Sequence, residues 1–179
     1  MFKTRRRVAV VRALTALTVL LAVFSMWGCS DLPVAPTAQN GPHLLTRSAS
    51  SSVPMAAGVL YTDAEISSRT GGRLELYGVT LDVPPFAVAQ DTLYSITIPD
   101  AGVFFCSFGT SGLVFNQPVK VTISFSDADL TAVDESTLRF AYLNEATGQW
   151  ESLPCVVDHV NKVVVAYMQH FSAYGLISD

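Results

Sequence analysis

Near the end of this 179-residue chain, a histidine stands two positions before a serine: His170, Phe171 and Ser172 form the stretch. A serine hydroxyl becomes a nucleophile when a base lies within hydrogen-bond reach, and histidine is the commonest such base. A structural role is the alternative, because both side chains also satisfy backbone groups where a strand bends. The stretch 109–112, "GTSG", is no nucleophile elbow: G-x-S-x-G needs glycine at position 113, which is leucine, so Ser111 is expected in a turn.

Carboxylates cluster at residues 127–136 and raise the question of a calcium loop. Asp127 and Asp129 begin such a loop, but its sixth and twelfth positions are Ala132 and Leu138 instead of glycine and glutamate. A solvated acidic loop is favoured over a weak calcium site, for which the candidate ligands are Asp127, Asp129, Asp134 and Glu135. None of the three histidines has the spacing of metal ligands, and no cofactor is predicted.

Trp150 follows the turn at residues 144–148 and could stack on a sugar ring, but a core position is the favoured interpretation.

Short strands must position these residues. Residues 119–126, "VKVTISFS", alternate strictly between apolar and polar side chains, which is typical of a half-buried strand. The same period recurs in "VTLDVP", "LYSITIP" and "TLRFAYL", whereas "KVVVAYM" is apolar on both faces and favours a central strand. Glycine, proline and asparagine turns separate the strands. The pattern predicts an all-β antiparallel β-sandwich over residues 58–179, with a helical turn at most within 127–136.

The other end of the chain has the three parts of an export signal. Five basic residues precede position 13, the uncharged apolar run 13–27 follows, and Gly28 is small. The run is shorter than the roughly 20 residues of a membrane-spanning helix. Cys29 comes next, and residues 26–29, "MWGC", resemble the lipobox of bacterial lipoproteins, with Trp27 as a departure from the usual small residue.

The lipobox resemblance implies a signal peptide over residues 1–28 and lipid on Cys29, the partner being a membrane. The alternative is ordinary secretion. Two or more acyl chains anchor a protein stably. Lipoproteins with aspartate directly after the cysteine tend to stay in the inner membrane. This chain has Ser30 there, which favours the outer membrane of a bacterial cell envelope, with the domain facing the periplasm or the exterior.

Charge excludes one class of partner. From Cys29 onward the chain has six basic and fifteen acidic residues, a formal charge of −9. Nucleic-acid binding needs clustered lysine and arginine, so nucleic acid is excluded as a partner.

With Cys29 lipidated, Cys106 and Cys155 remain as an even pair in an oxidising compartment. They either form a disulfide or are two small buried apolar residues.

Residues 29–57 are predicted to be a flexible tether. The segment contains four prolines and a serine-rich patch and shows no apolar periodicity, so the entropy of ordering it would not be offset by burial. As a coil it would span about 30 Å.

The sandwich resembles the ZU-five domain of zonula occludens proteins, uncoordinated-five netrin receptors and ankyrins. The similarity lies in residues 71–74 ("GGRL"), 79–88 ("VTLDVPPFAV", with Phe86 where glycine is usual) and 112–119 ("GLVFNQPV"). The closing "YLNEATGQWESL" and "HFSAY" are similar to bacterial members. The resemblance implies an antiparallel sandwich and, in animals, a protein-interaction module.

Some animal relatives cut themselves within a His-Phe-Ser motif. Carried over, Ser172 would attack the carbonyl of Phe171 and form an ester by an N-to-O acyl shift, and water would hydrolyse that ester. His170 would be the general base or would orient the nucleophile. The lipobox and the ZU-five resemblance together predict a membrane-tethered, non-enzymatic binding or structural module whose partner is a protein or a surface polymer. A domain that cleaves itself between Phe171 and Ser172 is the alternative.

Overall fold

A computed structural model describes residues 42–48, 58–110, 112–144 and 146–179. All of them belong to one compact unit, Ala38–Asp179. The predicted signal peptide, Cys29, Ser111 and most of the predicted tether lie outside the described residues. The predicted all-β architecture is confirmed. The strands are β1 (His43–Leu44), β2 (Leu60–Ile66), β3 (Gly72–Leu76), β4 (Val79–Val83), β5 (Thr92–Ile98), β6 (Phe105–Gly109), β7 (Val114–Ser124), β8 (Arg139–Asn144), β9 (Gln149–Leu153), β10 (Cys155–Asp158), β11 (Val163–His170) and β12 (Ala173–Ser178).

Two antiparallel sheets face each other. The seven-stranded sheet has the order β2-β5-β6-β12-β8-β9, and β1 pairs with the last residues of β12. The five-stranded sheet has the order β10-β11-β7-β4-β3. The alternation read in residues 119–126 is confirmed, because Val119, Val121 and Ile123 are buried between the sheets. The strand predicted to be central, β11, lies between β10 and β7.

The core is rich in aromatic rings at one end. Phe171 packs edge-on against Tyr94 and Phe115, with ring centroids 5.5 and 4.8 Å apart. Tyr174 stacks on Phe140 at 5.1 Å. Such pairs stabilise by roughly 0.5–1.5 kcal/mol beyond their buried area. A 3₁₀ helix, Glu135–Thr137, is the helical turn expected in the acidic segment.

Strand directions define two ends of the sandwich. In the five-stranded sheet His170 pairs with Val114 and Val163 with Ser124, so the start of β7 and the end of β11 share one end. Residues 171–172 connect β11 to β12 in the other sheet there. We call this the crossover end. Its loops are residues 67–71, 84–91, 109–110, 112–113, 146–148 and 171–172. We call the opposite end the plugged end, because residues 46–48 cover it. Its loops are residues 77–78, 99–104, 125–138 and 159–162.

The tether prediction is wrong for residues 42–48, which pack against the sandwich. Leu45 is only 1% exposed, and its backbone bonds to Leu176 and Phe104 on both sides. The segment then crosses the plugged end, where Thr46 bridges Val103 and Arg47 bridges Ala128. Composition misled here because one buried leucine and a set of backbone hydrogen bonds offset the ordering entropy without any apolar period.

Within the described part of the chain, no helix has the length and apolar character needed to cross a bilayer.

Candidate functional site

The His170–Ser172 stretch is where the chain changes sheets. His170 ends β11, Ala173 begins β12, and Phe171 between them is buried in the aromatic core. The Phe171 amide donates to Leu113 O at 3.0 Å, and the Phe108 amide donates to Ser172 O at 3.2 Å. The stretch is therefore bonded to the loop before β7 and to β6, as expected of a structural corner.

His170 faces the carbonyl rather than the hydroxyl of the expected cleavage site. Its Nδ1 lies 3.4 Å from Phe171 O, and its own carbonyl accepts the Tyr174 hydroxyl at 2.6 Å. The ring packs edge-on against Tyr142, at 5.7 Å between centroids. Among the described residues, no hydrogen bond joins the His170 imidazole to the Ser172 hydroxyl. The arrangement can polarise the carbonyl, but the base does not engage the nucleophile.

An open cleft of about 360 Å³ lies at this corner. Residues from three loops and β8 line it: Gly112, Tyr142, Leu143, Asn144, Ala146, Phe171 and Ser172. The cleft is open to solvent, and apolar surface, hydroxyl groups and amide groups all contribute to its lining.

A polar cluster beside the cleft was missed by the sequence analysis. The Glu151 carboxylate accepts from the Tyr142 hydroxyl and, at 2.5 Å, from Asn144 Nδ2. The Tyr142 bond lowers the pKa of Glu151 and raises the pKa of Tyr142, so the carboxylate is ionised and the phenol protonated. Residues 142 and 151 are directly paired across the β8–β9 hairpin. The predicted strand "TLRFAYL" and the turn at residues 144–148 were the sequence signals that could have placed these residues on opposite strands of one hairpin.

Two exposed apolar side chains belong to the same end. Phe86 is 61% exposed and Val114 69% exposed. Phe86 adopts φ of 62°, a conformation that is strained for a bulky residue. Its amide donates to Ser68 O at 2.6 Å, and the neighbouring Ala87 carbonyl accepts from Asn116 N at 2.8 Å. The backbone at Phe86 is thus held by hydrogen bonds while its ring is largely exposed to solvent.

The calcium candidates do not converge. Asp127 pairs with Arg47, Asp129 accepts from Thr131, and Asp134 caps the 3₁₀ helix through Ser136. Glu135 binds Lys162 and His159. No group of three carboxylate, histidine or cysteine side chains suited to a metal exists among the described residues.

The disulfide hypothesis is not supported, because both thiols are free. Cys106 lies on β6 in the seven-stranded sheet, and Cys155 lies on β10 at the edge of the other sheet. Burial raises the pKa of Cys106 to about 12. That thiol therefore behaves as a small apolar residue, which was the alternative interpretation.

The core prediction for Trp150 is wrong. Tyr174 and Leu176 face the core. A side chain at position 175, between them, would therefore point to the outer face of the sheet. A Cβ at Gly175 would come within 3.2 Å of the Trp150 ring and 2.5 Å of Leu44. Trp150 is therefore a half-buried outer-face residue, packed edge-on against Phe105 at 6.1 Å. The hairpin register, not the adjacent turn, decides which face it occupies.

No protein-family model matches this chain, and no curated protein matches its sequence.

Proposed function

We propose that this chain is an exported lipoprotein, anchored through Cys29, whose sandwich is a non-enzymatic binding module of the ZU-five type. The export signal and the cysteine after it support the anchor. The antiparallel sandwich is the fold that the family resemblance implies. Two motifs of that resemblance also meet in space: a Cβ at Gly71 would lie 2.2 Å from Val83 O and 2.9 Å from the Pro84–Pro85 peptide.

One observation carries the proposal: residues 42–48 pack on the plugged end, and the cleft lies at the crossover end. Residues 46–48 cover the plugged end. The cleft, Phe86 and Val114 are left open at the other. The crossover end is therefore the surface that residues 42–48 leave free for a partner.

The partner we favour is a folded protein that accepts the Phe86 ring. Aromatic side chains have only two rotatable bonds, so they lose little entropy in a complex, and they are common energetic centres of interfaces. The left-handed backbone at Phe86 costs about 1–2 kcal/mol and would be relieved by glycine. A surface polymer docking in the cleft is the rival occupant.

Site-specific crosslinking in cells tests the proposed surface. A photo-reactive residue at position 86 is expected to yield a discrete protein adduct, whereas one at position 160 is expected to yield none. Val160 is the matched control because it is 91% exposed but lies in a plugged-end turn. Equal adducts at both positions, or none at position 86, would rule out the crossover end as the protein-binding surface.

Fatty-acid labelling tests the anchor. Cells fed a labelled fatty acid are expected to mark the wild-type protein and not the Cys29→Ser variant. Label that persists in Cys29→Ser would disprove this attachment site.

A second candidate function is self-cleavage, favoured by His170 Nδ1 lying 3.4 Å from Phe171 O, the oxygen of the expected scissile carbonyl. In the proposed step, Ser172 Oγ bonds to the Phe171 carbonyl carbon, and the peptide C–N bond breaks. The hydroxyl proton passes to the freed Ser172 nitrogen, and water then hydrolyses the ester.

Intact-mass measurement of the purified protein distinguishes the two functions. Binding without catalysis predicts a single species that contains the residues on both sides of the Phe171–Ser172 bond. Fragments that separate after Phe171 and disappear in Ser172→Ala would establish cleavage instead.

A further inference from the structure

The Glu151 carboxylate at the crossover end is held in place by two neutral side chains. One of its oxygens accepts from the Tyr142 hydroxyl and the other from Asn144 Nδ2. A carboxylate has about four lone pairs, so each oxygen keeps the capacity to accept a further hydrogen bond. Both donors line the cleft, so the carboxylate lies at its edge with a fixed orientation.

The basic side chains of the domain are all engaged by other carboxylates. From Cys29 onward the chain has six lysine and arginine residues. Five of them form ion pairs: Arg47 with Asp127, Arg73 with Glu75 and Asp82, Lys120 with Asp82, Arg139 with Asp179, and Lys162 with Glu135. The sixth, Arg69, acts on Asp91, whose pKa is lowered by hydrogen bonds from Ser68 and by the Arg69 charge. No lysine or arginine from Cys29 onward is therefore left to pair with Glu151.

We propose that the cleft accepts an arginine side chain of the protein partner, whose guanidinium binds the Glu151 carboxylate; this inference rests on the protein-binding function proposed above. A guanidinium presents parallel N–H donors that match the two oxygens of a carboxylate, whereas a lysine ammonium is a point charge. The methylene groups of the arginine pack against the apolar side chains of the lining, Leu143 and Ala146.

The cleft and Phe86 are close enough for one partner to cover both. Ala87, next to Phe86, accepts a backbone hydrogen bond from Asn116, and Gly112 in the cleft lining is four residues before Asn116. Four extended residues span at most about 14 Å. A standard interface covers roughly 800 Å² of each partner, a patch about 30 Å across. A partner seated on the Phe86 ring therefore also covers the exposed Glu151 and removes the water that screens its charge.

Small probes test the chemistry of the cleft without the partner. The protein purified from cells in detergent is titrated with N-acetyl-arginine amide, and binding is followed by NMR saturation transfer to the probe. N-acetyl-citrulline amide has nearly the same shape without the charge and is expected to bind about tenfold more weakly. N-acetyl-lysine amide is expected to bind with intermediate affinity. A citrulline or lysine probe that binds as tightly as the arginine probe would overturn the assignment of an arginine.

Three substitutions locate the probe. Glu151→Gln removes the charge and is expected to weaken binding of the arginine probe about tenfold. Tyr142→Phe keeps the charge but removes one of the bonds that orient it, so a smaller loss is expected. Asp158→Asn is the matched control, because both oxygens of Asp158 also accept hydrogen bonds, from residues 160 and 161, but in a plugged-end turn.

The control is expected to bind the arginine probe as the wild type does. Unchanged binding in Glu151→Gln, or an equal loss in Asp158→Asn, would exclude Glu151 as the guanidinium site. The melting temperature of each variant shows whether the fold is retained. If Glu151→Gln does not fold, unchanged binding in Tyr142→Phe overturns the proposal.

Crosslinking in cells connects the cleft to the partner. With the photo-reactive residue at position 86, the yield of the protein adduct is expected to fall at least about threefold in Glu151→Gln and to stay unchanged in Asp158→Asn. A yield that Glu151→Gln leaves unchanged would show that this partner places no arginine in the cleft. Absence of any adduct without these substitutions would instead refute the protein-binding function, while the probe titration still reports the chemistry of the cleft.

Discussion

At the scale of single residues, hydrogen-bond partners decide what each group can do. Ser172 and His170 are close in sequence, but the imidazole Nδ1 contacts the Phe171 carbonyl oxygen instead of the Ser172 hydroxyl. Two tyrosines in the core differ in the same way. Tyr174 donates to His170 O, whereas the buried Tyr94 hydroxyl has no partner among the described residues. A buried unpaired hydroxyl destabilises the folded state, and a paired one contributes to it.

This difference predicts opposite effects for one substitution. Tyr94→Phe is expected to raise the free energy of unfolding by about 1 kcal/mol, since it removes an unsatisfied polar group. Tyr174→Phe is expected to lower it by about 1 kcal/mol, because His170 O loses its donor. Urea unfolding of both variants at neutral pH measures the changes. A loss in Tyr94→Phe equal to that in Tyr174→Phe would mean that the Tyr94 hydroxyl is bonded in solution.

At the scale of elements, close backbone contacts hold the loops of the crossover end. Gly71 bridges back to Ser67 and lies directly against the Pro84–Pro85 turn. This contact fixes the loop from which Phe86 projects. Both Gly71 and Gly148 have left-handed backbones, with φ of 68° and 67°, but nothing lies within 4 Å of a Cβ at Gly148. Comparing the two glycines therefore separates the energetic cost of a left-handed backbone from the cost of steric contact with a side chain.

Alanine at each glycine measures the two costs. Gly148→Ala is expected to cost about 1 kcal/mol, which is the left-handed penalty alone. Gly71→Ala is expected to cost roughly 2 kcal/mol more, because backbone atoms must move away from the new methyl group. Chemical denaturation of both variants tests this. Equal losses would show that the loop yields to the methyl group without resistance.

At the scale of the whole molecule, the two sheets keep the cysteines apart and give the ends different roles. Cys106 is within the core beside β12, and Cys155 is at the edge of the opposite sheet. No disulfide between these two cysteines therefore contributes to the stability of the sandwich. The plugged end contacts residues 42–48, and the crossover end carries the exposed Phe86 ring and the cleft.

Free thiols predict insensitivity to reductant. The melting temperature is expected to be the same with and without dithiothreitol. At pH 8 a maleimide is expected to label the half-exposed Cys155 and to leave Cys106 unmodified, because the raised pKa of about 12 keeps the buried thiol protonated. Labelling of Cys106 in the folded protein, or a melting temperature lowered by reductant, would contradict the free, buried assignment.

The sequence by itself determined the fold class and the positions of the main strands. The side-chain alternation of β4, β5, β7 and β8 is a local signal with period two, so it can be read without knowing the neighbours. The composition of residues 1–29 likewise predicts export without reference to a fold. The lipid anchor, the family and the binding role stay predictions that the experiments above address.

Only the tertiary structure decided how these elements meet. Register and sheet order are set by contacts between residues far apart in the chain, which no local period encodes. They place Cys106 and Cys155 in different sheets, Trp150 on an outer face and Arg47 beside Asp127, 80 positions further on. The docking of residues 42–48 depends on a partner surface that exists only after both sheets have formed. That is why composition alone predicted a tether there.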